Sequence, residues 1–227
     1  MVPAAALLLV ATLLCNWPLV APERMSARSH ANIARALARE GRSDEAVAEY
    51  RRSLELVPDD PAVLSDLGAL LDRMGERAEA LRHLEEAVEL DPGSAKAAEN
   101  LGVALAEAGR RQEAIDQFRR ALTLDPASAG AHFNLAKALA DAGQRTDAVR
   151  HLLFAADLDP GSAEVRNNLG VLLAGEGRIV EAILQFRAAI GLEPGFREAR
   201  ANLARAEAIL RQNRISSAAE GRRGSAG

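Results

Sequence analysis

The sequence contains few of the residues that stabilise small folds or form reactive sites. Its 227 residues include one cysteine and one tryptophan, and only 3% are aromatic. The single cysteine, Cys15, excludes an intrachain disulfide and a cysteine metal cluster. Nucleic-acid grooves need a basic stripe with interleaved aromatics, whereas this net charge is −4 with mixed signs throughout. We therefore expect no nucleic-acid partner, and the many alanines and leucines favour a folded, mostly helical chain.

Long apolar runs are also scarce, and the one exception lies at the start of the chain. Val2–Ala21 has no charged residue, and as a helix at about 1.5 Å per residue it would be about long enough to cross a bilayer core. We expect residues 1–22 to form a membrane anchor, or the last span of a truncated membrane protein. A cleaved signal peptide is an alternative, although the basic start of such peptides is missing. A buried or disordered extension is the third possibility.

The charges that follow this run predict an orientation. Arg24 and Arg28 come directly after it, so a single uncleaved span would leave the rest of the chain on the cytoplasmic side by the positive-inside rule. The sequence thus predicts a membrane-associated, cytoplasmic protein. A signal peptide would instead predict an exported or periplasmic one.

Glycine and proline are strictly spaced. Proline disfavours helix in the residue before it, and glycine accepts the left-handed conformation that ends a helix. Each period is therefore predicted to contain two helices, with a turn at the glycine and another around the proline. Five of each residue recur 34 residues apart: Pro58, Pro92, Pro126, Pro160 and Pro194, and Gly41, Gly75, Gly109, Gly143 and Gly177.

The apolar residues follow the same period and are predicted to form the core. With the proline at position 32, position 7 is leucine or isoleucine, position 8 is glycine or alanine, position 11 is leucine, position 20 is alanine and position 24 is tyrosine, leucine or phenylalanine. Small residues let helices approach closely, and large ones fill the remaining space. The units are residues 27–60, 61–94, 95–128, 129–162 and 163–196.

This pattern resembles the tetratricopeptide repeat (TPR). The resemblance covers residues 27–196 in five gapless copies and implies an all-α fold, a right-handed α-solenoid of five 34-residue helix-turn-helix units. Two departures are leucine instead of an aromatic residue at position 11, and a variable position 4. Where the family often has tryptophan at position 4, this chain has His30, Leu64, Ala98, His132 and Arg166.

The repeats are followed by a stretch in the same register. Because Glu207 puts a charge at position 11, where no further repeat would cover it, we expect a capping helix at 197–212. The polar, Gly/Ser-rich residues 213–227 are predicted to form a disordered tail.

Position 6 is the strongest candidate for ligand binding. Positions 2, 6, 9 and 13 point away from the core face of the first helix, and in the TPR family the first helices line a concave groove. The resemblance therefore implies an amide ladder similar to that in the TPR region of O-linked N-acetylglucosamine transferase, where such a ladder holds the backbone of an extended peptide. Asparagine before Leu-Gly is also ordinary repeat consensus, which is the alternative. The residues at this position are Asn32, Asp66, Asn100, Asn134 and Asn168, continued by Asn202 in the capping helix.

Charged residues on the same face predict a basic N-terminal end of the groove. Such an end would favour acidic peptides, and a merely solvated charged face is the alternative. A chaperone-type carboxylate clamp is disfavoured, because positions 5 and 9 of the first unit are Ala31 and Arg35 rather than lysine and asparagine. The cationic candidates are Arg28, Arg35, Arg39, Arg73, Lys96 and Lys137, and the acidic ones are Glu107 and Asp141.

Catalytic and metal-binding motifs are not found. Between repeats, His83 and His151 lie two units apart and His30 and His132 lie three units apart, too far to share a metal. We predict no active site, cofactor or metal. The predicted function is a non-catalytic scaffold that binds an extended peptide or a partner protein in the TPR groove, at a membrane. The alternative is a substrate- or partner-recruiting C-terminal TPR tail of a larger membrane enzyme, such as a glycosyltransferase.

Overall fold

The computed structural model describes the backbone of residues 22–224 and the side chains of residues 22–213. All regular secondary structure in this part of the chain is α-helical, so the predicted all-α class is confirmed. The helices are α1 (Pro22–Arg39), α2 (Ser43–Leu56), α3 (Pro61–Arg73), α4 (Arg77–Leu90), α5 (Ala95–Glu107), α6 (Arg111–Leu124), α7 (Ala129–Asp141), α8 (Arg145–Leu158), α9 (Ala163–Gly175), α10 (Ile179–Leu192) and α11 (Arg197–Gly224).

The predicted anchor or signal segment lies almost wholly outside the described residues, which begin at Pro22. Between residues 22 and 224, no helix has both the length and the apolar character that a membrane span requires.

The chain divides into two compact units, Met1–Ala104 (unit 1) and Leu105–Gly227 (unit 2), with the boundary inside α5. In unit 1, α1 packs on α2 and α3 on α4, and α3 also contacts both helices of the preceding pair. In unit 2, α7 packs on α8 and α9 on α10, and α11 packs on α10. This consecutive pairing of helices is the packing expected of TPR units.

The spaced glycines and prolines end helices as predicted. All five period glycines have φ between 78° and 87°, the left-handed region that side chains with a Cβ rarely adopt. At the first of them, Arg42 N–H bonds to Leu37 O at 3.0 Å and Gly41 N–H bonds to Ala38 O at 3.3 Å, which satisfies carbonyls at the helix end. Each second helix ends two residues before its proline.

In the core of each unit, a small residue of one helix packs against a large side chain of the next helix. A Cβ added to Gly68 would lie 2.6 Å from Leu84 Cγ, and a Cβ added to Gly170 would lie 2.6 Å from Phe186 Cε1. These glycines occupy position 8 and their partners position 24. The position-20 alanines on the second helices are fully buried in all five repeats. Small residues at these positions therefore set the close approach within each helix pair.

The first repeat departs from the predicted core. Ile33 occupies position 7 but is 48% exposed, whereas Leu67 and Leu169 at the same position are fully buried. The prediction that position 7 belongs to the core is thus wrong for Ile33. Among the described residues no repeat precedes α1, so this side of the helix has no neighbour to cover it.

Helix α11 differs from the predicted capping helix in length. The sequence predicts a helix that ends at residue 212 with a disordered tail after it, but the helix continues to Gly224. No proline interrupts this stretch, and extending an existing helix costs far less than starting one. Among its residues up to 213, the buried ones are Ala199 and Ala206, while Glu207 forms an ion pair with Arg187 at 2.7 Å. Glu207 therefore stays at the surface, as its charge requires.

Candidate functional site

An open cavity of about 240 Å³ lies on the first helices of unit 1. We call it the basic cavity, because four cationic side chains and one carboxylate line it. In each unit, the surface formed by the first helices of its own repeats is called the first-helix face of that unit. The residues that line the cavity are Arg35, Ala38, Arg39, Tyr50, Asp66, Ala69, Arg73, Lys96 and Asn100.

The single carboxylate of the basic cavity is shared by two cations. Arg35 Nε donates to Asp66 Oδ2 at 2.7 Å, and Lys96 Nζ donates to Asp66 Oδ1 at 2.6 Å. The hydrogen bond to Asp66 raises the pKa of Arg35. Arg35 Nη1 also donates to Asn32 Oδ1 at 3.1 Å. Three successive first helices are thus connected through Asp66, whose side chain is only 11% exposed.

The other two cations of the basic cavity are Arg39 and Arg73, at position 13 of successive repeats. Neither makes a hydrogen bond or ion pair to any other described residue. Both lie close enough to Tyr50 to lower its pKa, yet burial dominates and raises the pKa of Tyr50 to about 12. The phenol is protonated at neutral pH, as any tyrosine with an ordinary or raised pKa is, and the two guanidinium groups face the cavity without a protein counter-ion.

The position-6 amides lie on the predicted face but are already engaged. Asn100 Nδ2 donates to Ser65 Oγ, and Asn202 Nδ2 donates to Asn167 Oδ1, both at 3.0 Å. In each case the amide bonds to position 5 of the preceding repeat. Sequence reasoning missed position 5, although a polar residue at a buried position was a possible signal. These amides therefore link neighbouring first helices.

The remaining position-6 amides have different partners. Asn168 Nδ2 donates to the Glu164 carbonyl of its own helix at 3.0 Å, and Asn134 also has an interaction partner. Asn32 accepts from Arg35 and lies outside the basic cavity. The similarity to a peptide-holding amide ladder stays a prediction.

Two predicted cations lie away from the basic cavity. Arg28 lines a separate cavity of about 330 Å³ in unit 1, together with Arg24, Val57 and Asp60. Lys137 belongs to unit 2, where its Nζ lies 5.4 Å from the centre of the Phe133 ring. The predicted cationic set is therefore divided among three places.

Unit 2 has its own cavity on the first-helix face, with a volume of about 400 Å³. Three carboxylates face one ammonium group there, so we call it the acidic cavity. Its lining residues are Lys137, Glu164, Asn167, Asn168, Glu193, Phe196 and Glu198.

The side chains at positions 4 and 23 of the same repeat lie in contact. In the sequence, histidines were compared only between different repeats, so this contact was not found. His132 Nδ1 lies 3.0 Å from His151 Nδ1, and His132 Nε2 lies 3.2 Å from the Pro126 carbonyl oxygen. At the same two positions of the first repeat, His30 Nδ1 lies 2.6 Å from Glu49 Oε2. Within the described residues, no group of three or more His, Cys, Asp or Glu side chains is arranged to hold a metal ion.

Comparison with known proteins supports the fold. No curated protein matches the chain significantly. Among solved structures, the MamA protein matches with 26% identity and a TM-score of 0.63, covering 74% of this chain and 92% of that one. A thermophilic TPR protein of Thermus thermophilus, TTC0263, matches with 25% identity and a TM-score of 0.65 over 79% and 98% of the two chains.

YrrB, described as a TPR protein with an unusual peptide-binding site, matches with 23% identity and a TM-score of 0.62 over 76% of this chain and 89% of its own. At this identity the match concerns the fold alone. Tetratricopeptide repeat family profiles match residues 25–93, 65–129 and 133–195. Together with the 34-residue period and the paired helices, these matches show that the chain belongs to the tetratricopeptide repeat family.

Proposed function

We propose that the protein is a non-catalytic interaction scaffold that binds an extended peptide, or an extended segment of a partner protein, on its first-helix faces. One observation carries this proposal. In each unit taken alone, the cavity on this face draws most of its lining from three successive first helices. These are α1, α3 and α5 for the basic cavity, with Tyr50 of α2, and α7, α9 and α11 for the acidic cavity, with Glu193 and Phe196 of the loop before α11. A surface that presents one helix per repeat offers regularly spaced side chains to an extended ligand.

The position-6 amides would hold such a ligand through its main chain. Asn100, Asn168 and Asn202 each use Nδ2 in one intramolecular bond, so each has its Oδ1 acceptor and at most one further N–H donor for a ligand. We therefore propose that they accept hydrogen bonds from peptide N–H groups. Because an N–H group is present at nearly every residue, this contact would not depend on the ligand's side chains.

The test is a triple variant of the full chain, in which Asn100, Asn134 and Asn168 are all replaced by Ala. The ligand is the tightest peptide from an array that samples acidic, neutral and basic sequences. At about 0.5–1.5 kcal/mol for each hydrogen bond, the variant should bind it roughly 1–4 kcal/mol more weakly. Fluorescence anisotropy measures the affinity, and circular dichroism checks the fold.

A matched control removes an amide from a different surface. Gln112 is exposed on second helix α6, where its Nε2 donates to Asp116, and Gln112→Ala should leave peptide affinity unchanged. If the folded triple variant binds as tightly as the wild type, position 6 is only repeat consensus. If no peptide in the array binds, the proposed function itself is wrong.

We further propose that Val2–Ala21 holds these faces at a membrane, with the repeats on the cytoplasmic side. The apolar run and the arginines after it support this placement. Alkaline phosphatase fused after Gly227 would report it, because activity in intact cells would mean that the repeats are exported. An upstream reading frame with more apolar spans would instead favour the recruiting tail of a membrane enzyme.

A further inference from the structure

We propose that the basic cavity of unit 1 binds a carboxylate of the peptide ligand between Arg39 and Arg73. This inference rests on the proposed function. It adds the chemical class of the ligand, an acidic peptide, and the two residues that recognise it.

The charges of the cavity are unbalanced. Asp66 uses Oδ2 for Arg35 and Oδ1 for Lys96, so both of its oxygens already accept a charged donor. No other carboxylate lines the cavity. Four positive charges therefore face one negative charge, and the two that Asp66 does not pair are Arg39 and Arg73.

The two arginines occupy equivalent places on neighbouring first helices. Arg39 is the last residue of α1 and Arg73 is the last residue of α3. A cation in the last helical turn is stabilised by the helix dipole, which accounts for a positive side chain at each of these positions. The dipole does not provide an acceptor for the guanidinium N–H donors. Guanidinium groups bind carboxylates through two parallel hydrogen bonds. A ligand carboxylate placed between them would satisfy donors from both repeats.

The floor of the cavity suits such a guest. Ala38 and Ala69 leave room beside the arginines, and Tyr50 lies near them. The Tyr50 phenol is uncharged at neutral pH, as a tyrosine with an ordinary or raised pKa is, so it adds no negative charge that would repel a carboxylate. The volume of about 240 Å³ leaves space for one acidic group rather than a large ligand.

Unit 2 provides an internal contrast. The acidic cavity has Glu164, Glu193 and Glu198 against Lys137, so it would repel the same guest. Carboxylate recognition should therefore map to unit 1 alone. A general attraction of peptides to any first-helix face would not show this difference.

The experiment titrates peptides that carry a neutral, carboxylate-free fluorophore (a BODIPY dye) into the full chain and follows anisotropy. A glutamate-rich peptide with an amidated C-terminus presents side-chain carboxylates. A glutamine-rich peptide with a free C-terminus presents only the terminal carboxylate. An amidated glutamine-rich peptide and an amidated lysine-rich peptide present none. We expect at least one carboxylate peptide to bind about tenfold or more tightly than the amidated glutamine peptide, and to weaken as salt rises.

The arginines are tested by the double variant Arg39→Gln/Arg73→Gln, which should lose that preference and bind the carboxylate peptide about tenfold or more weakly than the wild type does. Arg39→Lys/Arg73→Lys keeps the charge but not the paired donors. Its affinity for the carboxylate peptide should therefore lie between that of the wild type and that of Arg39→Gln/Arg73→Gln. The matched control is Arg111→Gln/Arg145→Gln, which removes two exposed cations from second helices of unit 2. It should change affinity by less than about twofold, because neither residue lines the basic cavity and salt screens exposed charges that do not contact the ligand.

Each outcome has a distinct meaning. Preference for the amidated glutamate peptide assigns the bound group to an acidic side chain, and preference for the free-acid glutamine peptide assigns it to the C-terminus. Equal affinity for all four peptides, or a preference that survives Arg39→Gln/Arg73→Gln, overturns this inference but leaves the proposed function standing. If neither these peptides nor any in the wider array binds, both are overturned.

Discussion

The two units have the same core pattern but opposite charge on the first-helix face. In each, a position-8 glycine touches a large position-24 side chain, Leu84 in unit 1 and Phe186 in unit 2. The basic cavity nevertheless has four cations and one carboxylate, whereas the acidic cavity has three carboxylates and one cation. Buried positions must satisfy packing against a neighbour in every repeat. Positions on the open face meet no such requirement, so their charges differ between the units.

The largest predicted effect tests whether the core is equivalent in the two units. Leu67→Ala in unit 1 and Leu169→Ala in unit 2 each remove a fully buried side chain and should each cost roughly 2–5 kcal/mol. Ile33→Ala is the control, since this position-7 side chain is 48% exposed and should cost far less. Urea denaturation followed by circular dichroism measures all three. A cost for Ile33→Ala as large as the other two would contradict the packing.

The second prediction concerns the contact between positions 8 and 24. A methyl group at Gly170 would lie 2.6 Å from Phe186 Cε1, so Gly170→Ala should destabilise unit 2 by about 1–3 kcal/mol through overpacking. Phe186→Leu in the same chain should recover part of that loss, because the fourth repeat already pairs Ala136 with Leu152 at these positions. Thermal unfolding compares the single and double variants. A double variant no more stable than Gly170→Ala would show that the ring is not the obstacle.

The third prediction concerns a substitution that changes the charge of the basic cavity. Asp66→Asn makes position 6 of the second repeat like that of the others. It removes the negative charge shared by Arg35 and Lys96 and replaces one of the two acceptor oxygens with an NH2 group. With partly exposed partners, the loss of stability should be about 1 kcal/mol. The extra positive charge should tighten binding of the carboxylate peptide by several-fold, and anisotropy would measure it. Asn168→Asp in the acidic cavity should not tighten binding of this peptide. If Asp66→Asn binds the peptide more weakly than the wild type does, the prediction is wrong.

The smallest predicted effect is a pH dependence shared by both units. Burial is the main cause that lowers the pKa of His83 in unit 1 and of His151 in unit 2, and the neighbouring side chains of Arg82 and His132, respectively, lower these pKa values further. The unfolded chain therefore holds these protons more tightly than the folded chain. The contribution of these neutral imidazoles to the free energy of unfolding is fully present above the ordinary imidazole pKa, near 6.5. It is lost as the pH falls through the lower pKa that each histidine has in the folded chain.

This pH dependence can be measured by urea denaturation at a series of pH values. His83→Gln and His151→Gln should each reduce the loss of stability on acidification, and should change nothing in the slope at about pH 8, where both imidazoles are neutral. If both variants lose stability on acidification as steeply as the wild type does, the pH dependence comes from other groups.

The sequence predicted much of the fold because a few residues determine local backbone geometry. Gly41 and its equivalents end helices in any context that allows a left-handed residue, so the turns could be located without a structure. Ile33 was misassigned because burial depends on a neighbouring repeat as well as on the position within one. The length of α11 was missed because a polar composition alone does not end a helix.

Less of the candidate site was predictable. Helical periodicity predicts that Arg39, Arg73 and Asp66 share one side of the first helices, and all three line the basic cavity; their part in peptide binding stays a prediction. The sequence did not reveal that Asp66 pairs with Arg35 and Lys96 while Arg39 and Arg73 pair with nothing among the described residues. Partner choice depends on the separation of three different helices, which no single helical pattern encodes.

The repeat, its two helices and its turns follow directly from the residue pattern, because glycine, proline and periodic apolar residues act over a few neighbouring positions. Which polar groups meet depends on how the helices pack. The tertiary structure brought Asn100 to Ser65 and His132 to His151, and it divided the predicted cations among separate cavities. Those contacts arise between residues that are distant along the chain, where the distances and burial that control hydrogen bonding and charge pairing exist only after the helices have packed.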